Sequence, residues 1–102
     1  MYRQGDVLLI PTPHLPCDAQ LLQRDDGRVV LAYGEVTGHA HAIDAPDAEL
    51  WSLADEVDRY LRLRSRARLQ HEEHATLVLE PGCYRVVRQR EYAPDAVRNV
   101  AD

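Results

Sequence analysis

Four of the five histidines fall in two short segments, Thr37-Gly38-His39-Ala40-His41-Ala42-Ile43 and His71-Glu72-Glu73-His74. Neutral imidazoles suit divalent metals, which need two or three of them within about 2.1 Å of one ion, often with a carboxylate or water completing the shell. In an extended segment His39 and His41 point to the same side, because side chains alternate along a strand. One strand thus supplies half a site, and Gly38 lets the backbone bend beside it. His71 and His74 fall where a strand is expected to end, and a curled backbone there would bring at least one of them to the first pair. The expected ligands are His39, His41, His71 and His74. The expected cofactor is a divalent ion: zinc, iron, manganese or nickel.

Glu72 and Glu73 are candidates for a further ligand or for the catalytic proton carrier of a metal-bound water. The zincin motif His-Glu-x-x-His places its histidines four apart on a helix. Here they are three apart in a non-helical context, so that reading is rejected. If the protein is an enzyme, the ion would activate water or polarise a substrate oxygen, and nothing in the pattern names the reaction or the substrate. A metal-free acid–base pair acting on a phosphodiester ranks last, since Ala42 and Ile43 follow His41 where such enzymes carry a hydroxyl residue. His14, between Pro13 and Leu15, is left outside the site.

A second chemistry is offered by Arg62, Arg64, Arg66 and Arg68, which alternate with Leu61, Leu63, Ala67 and Leu69. On one strand face the arginines would stand about 6.7 Å apart, close to the spacing of phosphates in a nucleic-acid strand. The alternative function is therefore a non-enzymatic module binding nucleic acid or phosphate, extended by Arg85, Arg88 or Arg90, with Tyr60 and Tyr84 as stacking groups. Seventeen carboxylates offer these arginines partners across strands, which favours a solvated face.

These residues need strands to position them. Val7 to Ile10 is a short apolar run between Gly5 and Pro11, fitting a buried strand that the prolines stop. Ala19–Gln23 and Arg28–Tyr33 flank Asp25-Asp26-Gly27, a hairpin signal that predicts the two pair with each other. His39–Ile43 resumes the strand pattern, and Asp44–Asp47 is a turn around Pro46. Ala48–Ala54 is a strand or short helix, and Asp55–Asp58 a polar tip. Tyr60 to Leu69 alternates strictly, with a break expected near Ser65-Arg66. Ala75–Leu79 and Cys83–Arg90 close the chain, with Tyr84, Val86 and Arg88 on one face and Arg85, Val87 and Gln89 on the other. The expected fold is all-β: one domain over residues 1–102, a small barrel or sandwich of about eight short antiparallel strands, with a short irregular tail from Ala93.

Composition narrows the classes. The chain has 102 residues, 45 % apolar and 28 % charged, enough for a single core. No apolar run approaches the ~20 residues of a membrane helix, and the N-terminus lacks the pattern of a signal peptide, so a cytoplasmic protein is expected. The net charge of −5 opposes nucleic-acid binding over the whole surface. All twelve basic residues are arginine, which removes Schiff-base and Walker-type lysine chemistry. Cys17 and Cys83 form no CxxC and are read as small, mostly buried apolar residues. A homo-oligomer is compatible with all of this.

Two resemblances follow from the motifs. The segments Arg3 to Val7 (RQGDV), Gly34 to His41 (GEVTGHxH), His71 to His74 (HxEH) and Gly82 to Tyr92 (GxYxVxxQREY) resemble those of small uncharacterised bacterial and phage proteins. That resemblance implies a shared compact β fold and brings no activity with it. The HxH on a strand is also similar to the first metal motif of the cupins, whose double-stranded β-barrel holds a metal through histidines and a glutamate. The resemblance implies Gly34, His39, His41 and Glu49 as matching positions. The spacing departs from it, because Glu49 follows His41 at a greater distance and His71 and His74 precede Pro81-Gly82.

Overall fold

Alternating apolar residues become strands with one buried face, and two such faces must cover each other. The computed structural model describes residues 1–34, 38–54 and 58–89, and shows ten strands among them. They are β1 (Tyr2–Gln4), β2 (Val7–Thr12), β3 (Gln20–Leu21), β4 (Val29–Tyr33), β5 (Ala40–Ile43), β6 (Glu49–Ser52), β7 (Arg59–Leu63), β8 (Ala67–Gln70), β9 (Leu77–Leu79) and β10 (Gly82–Arg88). One antiparallel sheet has the order β1-β2-β10-β7-β6-β3 and the other β4-β5-β8-β9. The all-β expectation holds, with the sheets layered and not closed into a barrel. Among the described residues no helix is long and apolar enough to cross a membrane.

Four hairpins among the described residues, β1–β2, β4–β5, β6–β7 and β8–β9, alternate between the sheets. Their inward residues meet in one core, with Leu9, Leu61 and Tyr84 from the larger sheet and Leu31, Ile43, Leu69 and Leu79 from the smaller. Tyr84 also stacks edge-on against Tyr2, and its hydroxyl donates to the Glu80 carbonyl at 2.6 Å. Burial, Tyr2 and Glu80 together push the Tyr84 phenol up to about 12.

Several expectations change. Asp26 and Gly27 do form a tight turn, with φ of 59° and 80° suiting the left-handed positions of a hairpin turn. Pairing across it stops after the single bridge Asp25–Arg28, and β3 pairs with β6 instead of β4. The Arg24 guanidinium ties this crossing to the carbonyls of Gly27, Ala45 and Ala48, so the chain changes sheets there. Pro11 does not stop β2, because it lies beyond Leu9, the last residue paired with β1, where one flank of the strand is open. Cys17 is exposed and Cys83 half-buried, so neither is a core residue. The tail from Ala93 lies outside the described residues.

The arginine stripe is divided. Leu61, Leu63, Ala67 and Leu69 are buried as the alternation requires, but the first two belong to β7 and the last two to β8, in different sheets. With both sets facing one core, Arg62 and Arg68 point away from opposite outer faces. Arg64 and Arg66, in the link, pair with Glu49 at 3.4 Å and Glu80 at 3.3 Å. The four do not form a single row of charge.

Candidate metal centre

Strand register brings the histidine pairs together. β5 and β8 are antiparallel partners, with Ala42 opposite Gln70 and Ile43 opposite Leu69. Continued outward, that register sets His41 against His71, Ala40 against Glu72 and His39 against Glu73. The contacts follow: the His41 and His71 rings are 4.3 Å apart, the Ala40 N–H donates to Glu72 Oε1 at 2.9 Å, and His39 Nδ1 lies 3.3 Å from Glu73 Oε2. His71 continues the inward phase of Ala67 and Leu69, while His39 and His41 continue that of Ile43. A bulge in β4 between Val30 and Ala32 lies opposite His41. The backbone then curls, and the N–H groups of Glu73 and His74 donate to His71 Nδ1 at 3.0 and 3.3 Å. The curl brings the His74 ring to 4.5 Å from His71 and 5.9 Å from His41.

The other wall is the β1–β2 turn. Gln4 is buried, and its Nε2 donates to the carbonyls of Leu69 and Ala75, both at 2.9 Å. That fixes Gln4 Oε1 as the acceptor facing His41 Nδ1 at 2.8 Å. The hydrogen of neutral His41 is therefore on Nδ1, and Nε2 presents its lone pair 3.5 Å from Asp6 Oδ1. Arg88, last residue of β10 on the inward phase, donates to Asp6 Oδ2 at 3.1 Å and to the Tyr33 carbonyl at 2.6 Å. Burial pushes the His41 imidazole down to about 4, reinforced by His71, His74 and Arg88 and opposed by Asp6. Burial would raise the Asp6 carboxyl, but the hydrogen bond and charge of Arg88, a backbone N–H and His41 together hold it below its ordinary value.

Gly5 closes the turn with φ of 61°, and a Cβ there would stand 2.5 Å from His74 Nε2 and 3.3 Å from His41 Cε1. Gly5→Ala is expected to cost about 1–2 kcal/mol through the left-handed backbone and to displace the mobile end of His74. Denaturant midpoints and the shift of the His74 ring resonances check this; an unmoved His74 would contradict it.

The atoms suited to one ion are those of His39, His71 and Glu72, with ligand atoms all within 4.8 Å of one another. The exposed Glu72 carboxyl is held below its ordinary value chiefly by the Ala40 N–H. All four expected histidines thus share one cluster, with His41 and His74 flanking the ligand group. His14 is exposed. Glu49 is on β6, bound to Trp51 Nε1 and Arg64, and is absent from the ligand group. Gln4, Gly5 and Asp6 were missed as site residues. Their only trace in the sequence is the Arg3 to Val7 motif, which carries no chemistry by itself. Arg90, Glu91 and Tyr92 lie outside the described residues, as do Glu35, Val36 and Thr37.

A family described as a domain of unknown function (DUF8820) matches residues 3–89. The chain belongs to this family. The matched span takes in both walls of the centre, from Arg3 before the β1–β2 turn to Arg88 at the end of β10. No curated protein and no solved structure matches the chain.

Proposed function

We propose that this protein binds a divalent transition-metal ion through His39, His71 and Glu72, with His41 and His74 at the edge of the ion's shell. The supporting observation is the convergence of those three ligand atoms within 4.8 Å, from two strands whose register joins them. Two imidazoles and one carboxylate leave coordination positions open, as in sites that hold water or a substrate oxygen, and the set suits zinc, iron, manganese or nickel. The ion would supply Lewis acidity. Glu73, on His39 Nδ1, orients that ring toward ligation through Nε2. Glu72 serves as a ligand in this reading, which leaves the proton-carrying role to whichever carboxylate the ion does not hold. His71 sets a cost: its Nδ1 accepts two backbone N–H groups, so binding at Nε2 moves the ring hydrogen to Nδ1 and breaks both bonds.

Titration calorimetry of chelator-treated protein tests the reading. Wild type should take up one ion per chain, and His39→Ala/His71→Ala should lose more than the ~10–100-fold that removal of an outer partner costs. Glu73→Gln should fall within that smaller range. Wild type binding zinc, iron, manganese and nickel no better than the double variant would remove the proposal.

A further inference from the structure

A cleft of about 230 Å³ opens beside the ligand group, lined by Arg28, Ala40, Ala42, Gln70, His71 and Glu72. It lies on the outer face of the smaller sheet, where Val30, Ala40 and Ala42 form an apolar cluster separate from the main core. The two alanines leave room that larger side chains would fill. His71 and Glu72 line the cleft and also belong to the metal group, so the two adjoin at the end of the sheet.

Arg28 is the arginine in that lining. Its backbone is fixed by the tight turn, exchanging hydrogen bonds with Asp25 at 2.8 and 3.1 Å. The guanidinium has no hydrogen bond or ion pair among the described residues, whereas Arg24, Arg59 and Arg88 are held by carbonyls or a carboxylate. A guanidinium fork in a small polar cleft matches the paired oxygens of a carboxylate or phosphate. Gln70 adds an exposed amide on the same wall. Glu72 would repel such an anion, and a divalent ion at Glu72 reverses that local charge.

We infer that the cleft takes the oxyanion group of a small ligand, held between Arg28 and the ion at His39, His71 and Glu72. The inference rests on the metal reading above and adds the substrate class. The volume admits one such group with a few attached atoms, so a larger ligand would enter by its anionic end.

The test is calorimetry of inorganic phosphate and of acetate with metal-free protein, zinc-loaded protein, and zinc-loaded Arg28→Gln and Arg85→Gln. Zinc titrations of each variant are run in parallel. Arg85 is exposed on the other sheet and controls for net charge. Zinc-loaded wild type should bind at least one of the two anions, and metal-free protein neither. Arg28→Gln should weaken that anion about tenfold or more while zinc affinity stays within twofold, and Arg85→Gln should change neither. Binding of phosphate alone or acetate alone supports the inference and identifies the oxyanion. Zinc binding with no anion bound, or with equal anion binding in Arg28→Gln, overturns it and leaves the metal reading standing. An equal loss in Arg85→Gln also overturns it. Failure of wild type to bind zinc removes the metal reading, and this inference with it.

Discussion

Gln4→Ala is expected to destabilise the protein by about 3 kcal/mol, the largest effect of any single polar substitution proposed for this chain. Gln4 is 3 % exposed, and its amide joins three groups, of which the Leu69 carbonyl and the His41 ring are buried and the Ala75 carbonyl is partly open. The carbonyls of Leu69 and Ala75 lose their donor and His41 Nδ1 loses its acceptor, and the first and last of these are buried polar groups left unsatisfied. The cavity left by the side chain adds to the loss. Urea denaturation measures it as a lower midpoint with an unchanged slope. A loss below about 1 kcal/mol would mean that water enters and replaces the amide. Gln4→Glu should be no rescue, because it sets an acceptor against two carbonyl oxygens.

Acid should weaken the metal-free protein through His41. Its folded pKa, about 4, lies below the ordinary 6.5, so between those values the unfolded chain binds a proton that the folded chain does not. Stability is therefore complete above about pH 6.5, falls as pH drops, and levels off near pH 4 as far as this group is concerned. Discounted for solvent screening at the open side of the cluster, the loss is about 1–3 kcal/mol. Asp6 acts further down: its folded pKa is depressed, so its contribution is present above its ordinary value and is lost below it. Urea unfolding at pH 7, 5 and 4 should show wild type approaching His41→Asn as pH falls. Parallel pH profiles for the two proteins would contradict the assignment to His41.

What the sequence made legible follows from the range of each signal. Period-2 alternation identified Leu61, Leu63, Ala67 and Leu69 as buried, because burial of one strand face is a local property. It did not show that the run splits between two sheets, since alternation names the face and not the partner. The HxH pair was readable as one-sided for the same local reason. Its meeting with His71 depended on register between β5 and β8, which only the packed structure fixes. Gln4 was illegible because its hydrogen-bond partners are Leu69, Ala75 and His41, far along the chain. The expected β3–β4 hairpin failed because the Asp-Gly turn was right locally while Arg24 and the β3–β6 pairing redirected the strand.

The placing of β10 between β2 and β7 governs how the chain assembles itself. The hairpins β4–β5, β6–β7 and β8–β9 join neighbouring segments and close short loops. The central ladder joins Val7 to Arg88, so the larger sheet has a gap at its middle until nearly the whole described chain is available. Loop closure of that length precedes any reward from its contacts, which sets assembly on the scale of about milliseconds to seconds typical of non-local β topologies. Asp6 and Arg88 meet only in that last step. The wall that Asp6 and Arg88 build beside His41 is therefore completed after the two histidine strands have paired, so the surroundings of His41 report that folding has reached its end.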